Sequence, residues 1–573
     1  MPSSRSPLFI ASGVFGLSAA VVVGIWGWLG SPVAMPPSPL LAGGKLDCVS
    51  YTPFQAGDSP FDGPKPIAAE LIAADVARLA PITGCLRTYS AAGHGIEEVA
   101  AAAQRLGLTV MQGAWISRDA IANRRELEAA ASIAKAHPGT VTAVIAGNEV
   151  LLRQEQTPQA LVALIERAKA LSGLPVTYAD VWEFWLKNPQ VAEAVDFITI
   201  HILPFWEDEP VAAADAAQHV ADIYARLTAA FPDKRIMIGE VGWPSAGRMR
   251  EAALPSPSNQ ARVLHDVIAM TRAKGITANI IEAFDQPWKR HLEGTVGGHW
   301  GLFDAGHRSP KYDWGQPVSN HPLWRLQAAG GVALAGFVLV LCAHAARKRT
   351  GSAPPISSRA PPISSRAPPI SSRDWACVGL VVTGTSILAG LSFETLAAGA
   401  FGATGLARAA MLGLVALAAP FLAVGIAGET RLPSLQETIG PPHQRPRCPL
   451  TWIMGLIFTV SVMAAIQVAL SLTFDPRYWE FPYAPIGSAA FAGATVAWTS
   501  RHRQAAPAAG DTKTGVAEKL GAVLLASCAA FIGVNEGGQN WQALCLVAAL
   551  SLLAVTLWTN APEPRQAAQK PSQ

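Results

Sequence analysis

Between residues 46 and 283, short apolar runs alternate with longer stretches in which apolar residues recur every three or four positions. The short runs, at 46–51, 82–88, 108–113, 141–146, 175–179, 197–201, 235–239 and 277–283, predict β-strands. The longer ones, at 67–79, 97–106, 119–136, 158–171, 212–231 and 259–274, predict helices. Strand and helix in strict alternation imply parallel strands joined by crossover helices. Eight strands in about 280 residues suit a closed (β/α)8 barrel, with an open doubly wound sheet as the rival. No Gly-x-Gly-x-x-Gly turn follows the first run, so a dinucleotide site has no support.

The flanks have a different pattern. An unbroken apolar run at 7–29 follows Arg5. It exceeds the roughly 7–15 apolar residues of a cleaved signal peptide and approaches the roughly 20 needed to cross a bilayer. We read it as an uncleaved signal anchor in preference to a removed signal, with the Pro- and Gly-rich stretch 31–44 as a tether. Beyond the barrel, further apolar runs at 326–344, 376–391, 406–427, 450–474, 486–498, 520–534 and 543–558 predict a bundle of about seven transmembrane helices. The runs beginning at Ile486 and Leu520 are short for full spans. The expected domains are 1–45 (anchor and tether), 46–322 (barrel) and 323–573 (multi-pass membrane domain).

Basic residues favour every second loop of that bundle. Arg347, Lys348, Arg349, Arg359, Arg366 and Arg373 follow its first helix, Arg431, Arg445 and Arg447 its third, and Arg501, Arg503, Lys513 and Lys519 its fifth. The alternate loops, 393–404, 475–485 and 535–540, hold Arg477 as their one basic residue. By the positive-inside rule the basic loops are cytoplasmic and the barrel lies on the other side. The expected setting is a bacterial inner membrane with the barrel in the periplasm. Glu394 and Arg408, near the outer interface, are expected to pair. Residues 353–373 are three copies of Ala-Pro-Pro-Ile-Ser-Ser-Arg, a spacer of polyproline character.

Composition agrees with this division. Half the residues are hydrophobic and 15% are charged, too apolar for an ordinary soluble enzyme. A net charge of +3 gives no reason to expect a nucleic-acid partner. Of seven cysteines, Cys48 and Cys85 fall in the first two barrel strands, where buried free thiols are expected over a disulfide. No metal-ligand spacing occurs, and neither a metal nor another cofactor is expected.

The candidate chemistry is a pair of carboxylates. Gly147-Asn148-Glu149-Val150 ends the fourth predicted strand, and Gly239-Glu240-Val241-Gly242-Trp243-Pro244-Ser245 ends the seventh. Acidic residues at the C-terminal ends of barrel strands sit where such barrels keep their catalytic groups. Two facing carboxylates are what glycosidic-bond chemistry uses.

These two segments resemble the signatures of glycoside hydrolase family 17, the β-1,3-glucanases and glucan transglycosylases. Cys85-Leu86-Arg87-Thr88-Tyr89 resembles that family's second-strand motif. Ala283-Phe284-Asp285-Gln286-Pro287-Trp288-Lys289 and His299-Trp300-Gly301-Leu302-Phe303 resemble its eighth-strand region. The resemblance spans the predicted barrel and implies an eightfold barrel, Glu149 as acid/base and Glu240 as nucleophile of a retaining double displacement. It further implies that Asn148 binds the sugar 2-hydroxyl, and that Lys289 lies near the nucleophile. Gln286 stands where plant members have a glutamate, which puts that lysine's helper role in doubt; Glu282 and Glu293 are nearby carboxylates that could compensate.

Arg87 is a candidate to keep Glu240 ionised, against a structural role. Tyr178 and His201, ending the fifth and sixth strands, either touch substrate or line the barrel. Of the loop tryptophans, Trp243, Trp288 and Trp300 are candidate sugar platforms, since flat aromatic faces suit pyranose rings; plain packing is the alternative.

A covalent glucosyl-enzyme is resolved by water or by another sugar hydroxyl, and the motifs do not choose. A degradative enzyme has no need of a helical bundle, so the reading is a membrane-anchored β-glucan transglycosylase. Its layout resembles that of the membrane enzymes of rhizobial cyclic β-(1,3)-(1,6)-glucan production, which implies formation of β-1,6 linkages. The expected partners are a β-glucan donor, a sugar acceptor and a separate β-glucan synthase. A periplasmic β-1,3-glucanase, and a glucan-binding or export subunit, remain as alternatives.

Overall fold

The computed structural model describes residues 6–40, 43–63, 65–351, 370–503 and 515–561. They form two compact units: Pro32–Asn320, and Met1–Ser31 together with His321–Gln573.

The first unit is the barrel. Its strands are β1 (Cys48–Ser50), β2 (Cys85–Arg87), β3 (Thr109–Ala114), β4 (Val141–Asn148), β5 (Val176–Val181), β6 (Ile198–His201), β7 (Ile236–Val241) and β8 (Ala278–Ile280). They pair in chain order, and β8 returns to β1, which closes the sheet and rules out the open alternative. Each of the eight predicted strands contains or overlaps its observed counterpart. The crossover helices include Ala120–Ala136, Pro158–Ser172, Ala216–Ala230 and Pro257–Lys274. Side chains alternate across each strand. Cys48, Cys85, Met111, Ala143, Ile145, Ala179, Phe197 and Met237 form the interior filling. Their neighbours Val49, Leu86, Val144, Val176, Ile198 and Ile238 join the larger core under the helices.

That alternation overturns the expectation of free thiols. Val49 is in register with Leu86, so Cys48 and Cys85 lie side by side on the interior face, and they are joined in a disulfide. The tether expectation changes too. Val33 pairs with Val318, and Pro37 O receives a hydrogen bond from His265 Nε2 at 2.9 Å, so this stretch belongs to the barrel unit.

The second unit is helical. Among the described residues, seven helices are long and apolar enough to cross a membrane: Pro7–Leu29, Trp324–Arg349, Ser372–Gly399, Gly402–Ala427, Pro449–Phe474, Val516–Glu536 and Trp541–Asn560. The short run at 486–498 is the middle of a further 21-residue helix, Tyr483–Arg503, and the run at 520–534 lies within Val516–Glu536. Both runs looked short because charged residues continue each helix past its apolar part. Tyr483–Arg503 packs against four other long helices, Ser372–Gly399, Gly402–Ala427, Pro449–Phe474 and Trp541–Asn560, and its Ala489, Ala490, Ala492 and Gly493 are buried. A helix shielded in this way does not need a lipid-facing composition.

Glu394 and Arg408 do not pair with each other. The Glu394 carboxylate accepts from His321 Nδ1 (2.7 Å) and Gln327 Nε2 (2.8 Å), while the Arg408 guanidinium lies 4.1 Å over the Trp479 ring. Most of the Ala-Pro-Pro-Ile-Ser-Ser-Arg repeat, 353–369, lies outside the described residues. Its last two residues already begin the helix Ser372–Gly399, which Ser371 caps.

Candidate active site

Strands β4 and β7 both break the in–out alternation at a glycine that precedes the glutamate. In β4, Ala143 and Ile145 point inward, and the register with β5 then shifts between Ile145 and Asn148. Gly147 carries the irregularity with φ 97°, a conformation open to glycine. The extra residue turns Asn148 into the barrel mouth. In β7, Met237 points inward and the register with β6 shifts so that His201 faces Glu240. Here Gly239 is required by space: a Cβ would sit 2.3 Å from Thr199 Cγ2. The local Gly-Asn-Glu and Gly-Glu sequences thus convert an outward strand position into an inward polar one.

Glu240 is enclosed, with 4% of its surface exposed. Arg87, projecting inward from β2, donates Nη1 to Glu240 Oε1 and Nη2 to Asn148 Oδ1. The Tyr89 hydroxyl donates to the same Glu240 oxygen at 2.9 Å, and His201 Nε2 lies 3.6 Å from it. Burial alone would push the Glu240 carboxyl up, but His201 and the Arg87 guanidinium outweigh it and hold the group down at about 2. The direction rests on Arg87, whose charge is permanent. This carboxylate is therefore kept ionised, as a nucleophile must be.

Glu149 sits differently. Its side chain is 23% exposed, its backbone is left-handed (φ 53°), and Oε1 lies 3.0 Å from His201 Nδ1. One oxygen each of Glu149 and Glu240, with a ring nitrogen of His201, fall within 4.8 Å of one another. A divalent cation would also accept such spacing, but the guanidinium on Glu240 already supplies positive charge there.

The remaining candidates divide. Lys289 does not bond Glu240; its Nζ donates to Glu282 Oε2 at 2.9 Å. Burial pushes Glu282 up to about 7 despite that lysine. Lys289, which burial would discharge, is held above its usual range by Glu282 and Glu293. Trp288 is half-buried, edge-on to Phe54 and Phe61, with Nε1 bonded to Gln286 Oε1 at 2.8 Å. Trp243 and Trp300 are enclosed in the hydrophobic core, at 0% and 2% exposure, so neither offers a face to a sugar. Tyr178 is also enclosed, on the outward side of β5, and its hydroxyl bonds Asp180.

Three side chains around the pair were missed or left indistinct by sequence reasoning: Tyr89, Asp180 and Glu282. A signal existed for the first two. Each lies two residues after a recognised candidate, Arg87 or Tyr178, and period-two alternation sets such residues on one face.

Comparison with known proteins agrees with this geometry. Residues 48–301 match the BtgE/BtgC glycoside hydrolase domain. A glucan 1,3-β-glucosidase of Saccharomyces cerevisiae is 28% identical over 245 residues, 39% of this chain and 78% of the relative. One from Arthroderma benhamiae is 26% identical over 248 residues, 40% of this chain and 79% of the relative. The crystal structure of a family 17 β-1,3-glucanosyltransferase from Rhizomucor miehei aligns at 28% identity with a TM-score of 0.41, over 46% of this chain and 95% of that one. The match over residues 48–301 and the similarity to these glucosidases support a family 17-like β-1,3-glucan enzyme.

Proposed function

We propose that this glycosidase-type enzyme is a membrane-anchored β-glucan transglycosylase. It cleaves β-1,3-glucan with retention and transfers the cut chain to a sugar acceptor, making β-1,6 linkages in β-(1,3)-(1,6)-glucan biosynthesis. The observation that carries the chemistry is the ionised, cation-held Glu240 with a Glu149 oxygen within 4.8 Å. That spacing suits the roughly 5–5.5 Å of retaining enzymes rather than the roughly 6.5–9.5 Å of inverting ones.

In this mechanism Glu240 attacks the anomeric carbon while Glu149 gives its proton to the departing glycosidic oxygen. The ester intermediate then meets an acceptor hydroxyl. Glu149 takes the hydroxyl proton, the new C–O bond forms, and Glu240 leaves as a carboxylate. Asn148, held by Arg87, is placed to bind the sugar 2-hydroxyl, and Trp288 to pack on a ring. His201 bridges both carboxylates and Lys289 balances the charge of Glu282. The glucan specificity is supported by the β-1,3-glucan-acting relatives.

The helical unit supports transfer over digestion, since a degradative enzyme gains nothing from seven membrane-compatible helices. Arg347, Lys348 and Arg349 end one helix, and Arg501 and Arg503 end Tyr483–Arg503, whereas Ser372–Gly399, Pro449–Phe474 and Val516–Glu536 end without basic residues. With Tyr483–Arg503 crossing as well, these two basic ends fall on one side, which the positive-inside rule makes cytoplasmic. The barrel then works in the periplasm of a bacterial inner membrane, on glucan made by a separate synthase. The Cys48–Cys85 disulfide fits such an oxidising compartment.

The test is product analysis. Purified full-length enzyme given β-1,3-gluco-oligosaccharides should yield longer, β-1,6-linked products; shorter sugars alone would instead identify a hydrolase.

A further inference from the structure

Glu149 is held in a left-handed backbone conformation that is strained for a residue with a side chain. Gln154, five residues on, is left-handed as well (φ 53°). Something must hold the turn between them, because the acid's aim depends on it. Three of the bonds to this turn come from β5. Glu149 N donates to Ala179 O at 2.7 Å, and Leu151 N donates to the Tyr178 hydroxyl at 2.9 Å. Leu152 N reaches Asp180 Oδ2 at 3.4 Å. The Tyr178 hydroxyl spends its own proton on Asp180 Oδ2, leaving its lone pair for Leu151. Asp180 is fixed in turn by Val181 N, which donates to Oδ1 at 2.8 Å.

Tyr178 and Asp180 are two residues apart on one strand, so they share its outward side, beneath the β4 turn. They are 1% and 0% exposed, and the Tyr178 ring packs on Trp185 at 5.5 Å. Neither can reach a sugar. A carboxylate buried beside a phenol costs folding energy that an apolar pair would not, yet its bonds converge on the turn that carries the acid.

We propose that Asp180, acting through the Tyr178 hydroxyl, is a positioning residue that aims the Glu149 carboxyl at the departing glycosidic oxygen. The claim rests on the acid/base role given to Glu149 above. It makes the pair necessary for proton donation and irrelevant to nucleophilic attack. A displacement on the order of 1 Å at a reacting group can cost about a hundredfold in rate.

The experiment compares two donors with the same glycon in the full-length enzyme: a β-1,3-gluco-oligosaccharide, whose leaving sugar needs a proton, and a dinitrophenyl β-laminaribioside, whose leaving group does not. Measured as kcat/KM, which reports bond cleavage alone, Asp180→Asn and Tyr178→Phe should lose about tenfold or more on the oligosaccharide, within the range of acid catalysis. On the aryl donor they should stay within about twofold of the parent, since no acid catalysis is there to lose. Equal losses on both donors, or none on either, overturn the proposal. Tyr178→Phe keeps the ring packing, so it serves if Asp180→Asn does not fold. Glu149→Gln is run beside them. If that variant still cleaves the oligosaccharide normally, the acid assignment itself fails; if it shows the leaving-group asymmetry and Asp180→Asn does not, only the positioning role falls.

Discussion

The ends of β4 and β7 are built from the same local device and arrive at opposite electrostatics. Each places a glutamate behind a glycine at a register shift. At β7 the carboxylate is walled in by a guanidinium, a phenol and an imidazole. At β4 the carboxylate keeps partial exposure, and its one side-chain partner among the described residues is the His201 ring. The nucleophile needs a fixed charge, whereas the acid must lose and regain a proton each turnover. The strand ends differ in what surrounds the glutamates, and that difference is what supports the roles proposed for them.

Removing each carboxylate is the strongest way to break the comparison. Glu240→Gln should abolish turnover on every donor, a loss of roughly 10⁴-fold or more, as when a nucleophile is deleted elsewhere. Glu149→Gln should cost about 10²–10⁴-fold on oligosaccharides and far less on a dinitrophenyl donor. Steady-state rates on the two donors check both; equal behaviour of the two variants would erase the distinction drawn here. Next in size is Arg87→Lys. A point charge cannot fork to both Glu240 and Asn148. Losing one charge-assisted bond of about 1.5–3 kcal/mol predicts a roughly 10- to 150-fold fall in kcat/KM. Its acid limb should move to higher pH, because Glu240 would be held down less firmly.

Much of the fold was legible because barrel strands and helices announce themselves by period. The two glutamates were legible because they end strands. What escaped depended on contacts between strands. Cys48 and Cys85 are 37 residues apart, and only parallel register sets them side by side. Trp243 and Trp300 looked like sugar platforms because they follow strand ends, but both ring systems pack inward, near Phe205. Lys289, expected near the nucleophile, does help hold the Glu240 carboxyl down, but its hydrogen bond goes to Glu282, one of the two carboxylates expected to compensate for Gln286. Tyr178 shows the limit of reasoning from strand ends: one residue of register decides whether a side chain meets substrate or supports the loop that does.

The glycines sharpen the comparison at smaller cost. Gly147→Ala must place a side chain at φ 97° with its Cβ 2.7 Å from Val150 Cγ2; Gly239→Ala must push Thr199 aside. Each should lose about 1–3 kcal/mol of barrel stability. Their kinetic signatures should differ: Gly147→Ala should harm the acid-dependent donor more, and Gly239→Ala should slow both donors alike.

The smallest effect is a stability profile against pH, and its sign follows from two buried carboxyls. Glu240 is held at about 2 in the folded barrel, below the usual 4.5. Between those values the unfolded chain binds more protons at this group, so stability is full above about pH 4.5 and is lost as pH falls toward 2. Glu282 is pushed the other way, to about 7. Between 4.5 and 7 the folded barrel binds the extra proton, so the stability Glu282 contributes is full below about pH 4.5 and is lost as pH rises through 7. Each slope is at most about 1.4 kcal/mol per pH unit for a single group. Together they place a maximum near pH 4.5 in thermal midpoints measured from pH 3 to 8. Glu282→Gln should flatten the neutral side alone and Glu240→Gln the acid side alone. If instead Glu282→Gln flattened the acid side, Glu282 would be the ionised group, and the charge pattern assigned to the strand ends would have to be redrawn around Lys289.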